Sequence, residues 1–140
     1  MKVLLDTCIL AEMRLGNCCP ILREFLNSIE DKDLFISVIT IGEITKGIVR
    51  LIESRKKSDL INWVNELELL YSDRILPIDR EVALLWGEIT ARAEKEGITV
   101  PGIDGLIAAT ALYHGLHVTT RNSKHFKGTG AFIINPGRDV

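Results

Sequence analysis

Three carboxylates stand where carboxylates are out of keeping with their neighbours. Asp6 breaks the apolar run Val3-Leu4-Leu5, and Ile9 and Leu10 resume it. Glu43 lies in ISVITIGEI between Ile41-Gly42 and Ile44, and Asp104 lies in PGIDGLIAAT among Ile103, Leu106 and Ile107. Other acids, such as Glu30, Asp31, Asp33, Glu94 and Glu96, cluster with charges, as solvated acids do. Each of the three has a plain reading of its own. Asp6 before Thr7 could simply cap a helix, Asp104 could complement a helix dipole, and Glu43 could face solvent. Asn122, in VTTRN, could cap a short last turn. Their common apolar context points instead to carboxylates gathered at the rim of a core, although spacing alone does not bring them together. Carboxylates within about 5 Å of one another, at an effective dielectric near 20, repel by roughly 3 kcal/mol per pair. Such a cluster persists only if protons or a cation neutralise it. Oxygen-only donors favour Mg²⁺ or Mn²⁺ over Zn²⁺.

These residues must be positioned by short elements that alternate along the chain. Residues 2–5 and 34–37 read as buried strands, as do 75–78, 117–120 and 132–134. Between them the spacing predicts a helix over 7–15 that ends at Gly16-Asn17. A second opens at Pro20 and carries Ile21, Leu22, Phe25, Leu26 and Ile29 at helical intervals. A third, capped by Ser37, covers roughly 38–52. A fourth begins at Ser54 or Ser58 and carries Leu60, Ile61, Val64, Leu67 and Leu70. A fifth is capped by Asp79 and ends at Gly97, and a sixth runs from Pro101-Gly102 through Ala111 to about Gly115. Strands without clean alternation, separated by helices, indicate an α/β fold whose mostly parallel sheet is covered on both faces. In such sheets ligands bind beyond the carboxyl ends of the strands. Asp6 sits at that edge, where strand one stops.

The chain of 140 residues predicts one domain over 1–140, long enough to bury a core without staples. No stretch approaches the roughly 18 continuous apolar residues of a membrane span. The sequence enters a strand at once, with no secretory signal pattern, so a cytoplasmic location is expected. Cys8, Cys18 and Cys19 are odd in number and lack a C-x-x-C spacing. A disulfide framework or a thiolate zinc site is therefore not expected. The net charge of −2 argues against nucleic-acid binding by bulk charge. Any nucleic acid must be met by a local basic patch or through a bound cation.

The segments LLDTCIL, SVITIGEI, PGIDGLIAATAL and VTTRNSKHF, with INP near the end, resemble in order those of PIN-domain ribonucleases. Within that group they resemble the VapC-type toxins of toxin–antitoxin pairs. The resemblance implies a three-layer α/β/α sandwich with a sheet of about five strands that cuts RNA with Mg²⁺ or Mn²⁺. It implies that Asp6, Glu43 and Asp104 hold the metal, that Asn122 is a fourth site position, and that Thr7 or Thr120 supplies a supporting hydroxyl. It also implies a homodimer bound by a small antitoxin protein. The apolar residues of the helices at 20–30 and 58–71 suggest a groove for an amphipathic antitoxin segment. Many relatives carry an Asp three residues beyond the Asn; here His125 stands there, and one acidic contribution is missing. The chemistry is consistent from first principles: a phosphodiester repels hydroxide, and a hard dication can neutralise it and acidify a bound water.

Phosphate contacts are expected from Lys46 and Arg50, which share a helix face with Glu43, and from Arg121, Lys124, His125 and Lys127 after strand four. Each also fits a solvated basic face. Arg55, Lys56 and Lys57, at a helix start, fit either reading. His114 and His117 straddle Gly115, which disfavours a shared zinc. Trp63 and Trp86 fall at core spacing. The leading reading is a metal-dependent endoribonuclease toxin. The alternative is a binding module on the same fold that acts without cleavage. A phosphatase that uses an Asp after strand one usually needs a second Asp two residues on, where this chain has Cys8.

Overall fold

The computed structural model describes residues 1–16 and 18–137; Asn17 and residues 138–140 lie outside the described residues. The strands are β1 (Val3–Leu5), β2 (Leu34–Ser37), β3 (Ile75–Leu76), β4 (His117–Thr119) and β5 (Ile133–Ile134). The helices are α1 (Thr7–Leu15), α2 (Pro20–Asn27), α3 (Val38–Val49), α4 (Arg55–Leu70), α5 (Arg80–Lys95) and α6 (Gly102–His114). The strands form one sheet in the order β3-β2-β1-β4-β5, and every neighbouring pair is parallel. Val3 lies opposite Leu34 on one side and His117 on the other.

Local chemistry accounts for most boundaries. Asp6, Ser37, Ser54 and Asp79 each cap a helix by accepting a backbone N–H, at 2.9, 3.2, 3.2 and 3.0 Å. Ser54 thus starts α4, and Ser58 lies inside it. Gly16 and Gly115 end α1 and α6 in the left-handed conformation, at φ of 71° and 69°. Some elements are shorter than their sequence pattern. Helix α2 stops at Asn27, where the Ser28 hydroxyl donates to the Phe25 carbonyl at 2.6 Å, and Asp31–Asp33 form a separate 3₁₀ turn. Strand β3 stops before Pro77, which has no N–H for the ladder. Helix α3 ends at Val49 rather than near 52, and β4 and β5 are each one residue shorter than expected.

The core divides by sheet face, as a three-layer sandwich requires. Val3, Leu5, Leu34 and Ile36 pack with residues of α1, α2, α3 and α4. Leu4 and Val118 point the other way and pack with Val82 and Ile89 of α5 and with Ile107, Ala108 and Ala111 of α6. Trp86, expected in the core, is instead exposed, with only the edge of its indole set against α6. A Cβ at Gly105 would meet its Nε1 at 3.0 Å, so the glycine lets α5 approach α6 directly beside Asp104. Trp63 packs on the other face, under the Arg14 guanidinium at 5.7 Å. His114 contacts Tyr113, and His117 contacts Phe132, so the two histidines have different partners.

Candidate active site

The chain goes from β1 to β2 and β3 on one side, then returns to place β4 and β5 on the other. The sheet therefore reverses its order between β1 and β4, and the crevice at a parallel sheet's carboxyl edge opens at such a point. Asp6 follows β1 there, and its N–H donates to the Thr119 carbonyl at 3.0 Å, which ties the two strand ends together. The Asp6 carboxylate is only 4% exposed. Oδ1 accepts the Thr7 N–H, and Oδ2 accepts the fully buried Thr120 hydroxyl at 2.7 Å. Asp6 is thus both a helix cap and a held carboxylate, and the two roles use different oxygens.

Glu43 lies on α3, half-buried, and accepts the Thr7 hydroxyl at 2.8 Å. Burial lifts its carboxyl above the ordinary range; the charges of Asp6 and Asp104 add to the lift, while Thr7 and Lys46 oppose it. Asp104 lies in the first turn of α6, and its Oδ2 is 3.1 Å from His125 Nδ1. Burial also raises the Asp104 carboxyl, Asp6 adds to this, and His125 opposes it. The three acids therefore feel one another's charge. Thr7 and Thr120 both support them, each holding a different carboxylate.

Among the described residues, no three His, Cys, Asp or Glu side chains close around a common point tightly enough to enclose a metal ion. Asp6 bonds to Thr120, Glu43 bonds to Thr7 and Asp104 contacts His125. The donor set still suits Mg²⁺ or Mn²⁺. All three acids are oxygen donors, and such ions keep several waters and need few direct carboxylates.

Asn122 is exposed just past β4. Its N–H donates to Thr120 Oγ1 at 3.0 Å and its carbonyl accepts the His125 N–H at 2.9 Å, so its backbone belongs to the same cluster. Lys46 lies close enough to Glu43 to oppose its lift. Arg50 and Lys124 are exposed. His125 is at the site through Asp104. Arg121, grouped with the phosphate contacts on sequence, turns elsewhere: its guanidinium grips Glu12 at 2.7 and 3.1 Å. Sequence reasoning missed Glu12 and Cys8. Glu12 had one available signal, an acid within the mainly apolar helix TCILAEMRL. The Cys8 thiol contacts Asp6 Oδ2 at 3.7 Å and Thr120 Oγ1 at 3.6 Å, and burial pushes its pKa up.

The PIN domain family matches residues 3–130. The chain belongs to the PIN-domain family. This PIN-domain chain is 33% identical over 138 residues to toxin FitB of Neisseria gonorrhoeae, covering 98% of this chain and 99% of that one. It is 27% identical over 135 residues to VapC ribonuclease Y4jK of Sinorhizobium fredii, covering 96% of each. The crystal structure of FitAcB from Neisseria gonorrhoeae superimposes with a TM-score of 0.87 at 32% identity, over 96% of this chain and 97% of that one. A toxin–antitoxin complex from Klebsiella pneumoniae superimposes with a TM-score of 0.67 at 26% identity, over 96% and 98%. The PIN fold expected from the sequence motifs is the fold observed.

Proposed function

We propose that this PIN-domain protein is an endoribonuclease toxin of a toxin–antitoxin system that hydrolyses RNA phosphodiester bonds with Mg²⁺ or Mn²⁺. The observation that supports the reading is that Asp6, Glu43 and Asp104 act on one another's charge near the reversal of a parallel sheet, with Thr7 and Thr120 orienting two of them. Asp6, Glu43 and Asp104 would hold the cation, with Asn122 at the rim. When bound, the cation supplies neutralisation of the phosphate and a more acidic water. The chain's own residues do the rest. Thr120 fixes the Asp6 carboxylate and Thr7 fixes that of Glu43. Lys46, Arg50 and Lys124 would guide the RNA backbone.

The proposed partners are RNA, a small antitoxin and a second copy of the chain, with the cytoplasm as the site of action. No described helix is long and apolar enough to cross a membrane. An apolar cavity of about 190 Å³, lined by Leu10, Met13, Trp63, Leu67, Leu70 and Tyr71, fits an amphipathic antitoxin segment. It lies between α1 and α4 rather than between α2 and α4, because α1 presents Leu10 and Met13 to the inner side of α4. The test is cleavage of a mixed RNA pool by the purified chain with Mg²⁺ or Mn²⁺. Cleavage that stops with EDTA and with Asp6→Asn is expected. RNA binding without cleavage under any divalent ion would overturn the enzyme reading in favour of a binding module.

A further inference from the structure

The Arg121 side chain contacts four residues from three other parts of the chain. Its Nε and one terminal nitrogen donate to the two Glu12 oxygens of α1, at 2.7 and 3.1 Å. The other terminal nitrogen donates to Asn135 Oδ1 at 2.8 Å and to the Pro136 carbonyl, just after β5. The nitrogen shared with Glu12 also meets the Cys19 thiol, at the start of α2, at 3.4 Å. These five bonds match the five N–H donors of a guanidinium. The side chain is 15% exposed. A phosphate could reach Arg121 only by displacing one of these partners.

The main chain on either side of Arg121 serves the site. Thr120 donates to Asp6 Oδ2, and the next N–H, that of Asn122, donates to Thr120 Oγ1. The Arg121 N–H itself donates to Cys8 Sγ at 3.3 Å, in the first turn of α1. A two-pronged arginine–carboxylate pair fixes both distance and angle, which a lysine's single ammonium cannot do. The pair also anchors α1, whose cap is Asp6, so both partners of the Asp6–Thr120 bond are held by one clamp.

We propose that Arg121 is a positioning residue: clamped to Glu12, it sets the Thr120–Asn122 backbone and, through Thr120, the Asp6 carboxylate, and it does not contact RNA. The inference rests on the metal-dependent nuclease reading. Outer partners of metal ligands typically alter metal affinity by about 10–100-fold when removed.

The experiment is calorimetric titration of Mn²⁺ into metal-free wild type, Arg121→Gln, Glu12→Gln and the double variant, with melting temperatures and RNA KM measured alongside. Both single variants should weaken Mn²⁺ binding by about 10-fold. The double variant should be no worse than the weaker single, because one clamp is lost in either case. RNA KM at saturating Mn²⁺ should be unchanged, and Arg121→Lys should fall between wild type and Arg121→Gln. Val82→Ala, a core change in α5, controls for general destabilisation and should lower the melting temperature while leaving the Mn²⁺ Kd unmoved. If Arg121→Gln does not fold, Glu12→Gln and Arg121→Lys decide the question. Unchanged Mn²⁺ binding in the Arg121 variants with a raised RNA KM and a silent Glu12→Gln would overturn the proposal and restore an RNA contact. An equal Kd shift in Val82→Ala would overturn it too. A wild type that binds no Mn²⁺ would overturn both this role and the nuclease reading, whereas a sound wild-type site with indifferent variants overturns the role alone.

Discussion

Replacing Thr120 by Val removes one hydroxyl at nearly constant volume. That hydroxyl is fully buried, donates to the Asp6 carboxylate at 2.7 Å and accepts the Asn122 N–H at 3.0 Å. A hydrogen bond to a charged group contributes about 1.5–3 kcal/mol, and a neutral one about 0.5–1.5 kcal/mol. The added methyl returns about 0.8 kcal/mol of burial. The net loss is then about 1–4 kcal/mol, which for a chain of this size lowers Tm by roughly 3–16 °C. The effect on function should be larger than the effect on folding. With Thr120 gone, Asp6 Oδ2 loses the donor that orients it, and the metal concentration for half-maximal RNA cleavage should rise by about 10–100-fold. Thr120→Ser, which keeps the hydroxyl, should recover most of the metal affinity. The assay is RNA cleavage over a Mg²⁺ series, with melting measured on the same samples. A Thr120→Val protein with wild-type metal dependence would refute the reasoning, as would a Thr120→Ser protein as impaired as the valine variant.

Asp6→Asn, Glu43→Gln and Asp104→Asn should each abolish cleavage and growth inhibition while circular dichroism stays unchanged; wild-type cutting by any one would remove that residue from the site. Because burial and neighbouring carboxylates raise the folded pKa of Glu43 and Asp104, the fold binds their protons more tightly than the unfolded chain does. Their contribution is therefore most favourable at low pH and is lost as pH rises through the folded values. The Tm of the metal-free protein should fall over that window, and Glu43→Gln or Asp104→Asn should flatten the fall and raise Tm at pH 7. His125→Asp replaces the partner of Asp104 with a like charge; it should lower the metal-free Tm and reduce several-fold the Mg²⁺ needed for half-maximal activity, as read from metal titrations. Lys46→Ala, Arg50→Ala and Lys124→Ala should each weaken RNA binding and reduce the salt slope by roughly one in filter-binding assays at varied salt. Light scattering should find a dimer at micromolar concentration, with exposed Val49 and Leu84 among the apolar side chains available for covering; a strict monomer would count against the second copy.

Sequence alone determined what is local. Helix starts at Asp6, Ser37 and Asp79 and stops at Gly16 and Gly115 were legible because a cap bonds its own first turn and a left-handed stop asks for glycine. The sandwich followed from short strands separated by amphipathic helices, and the three acids stood out because their neighbours belong to the core. Pairing between distant segments was decided only by the tertiary structure. The strand order that puts the crevice between β1 and β4 is set by how six helices divide over two faces, which periodicity does not encode. Thr7 and Thr120 were alternatives on sequence; in the fold each holds a different acid, because α3 and the end of β4 approach α1 from different sides. Arg121 read as one of a basic run facing RNA. Folding turned it inward, because Glu12, 109 positions away, offers both oxygens to its planar fork, and no local pattern records a contact of that range.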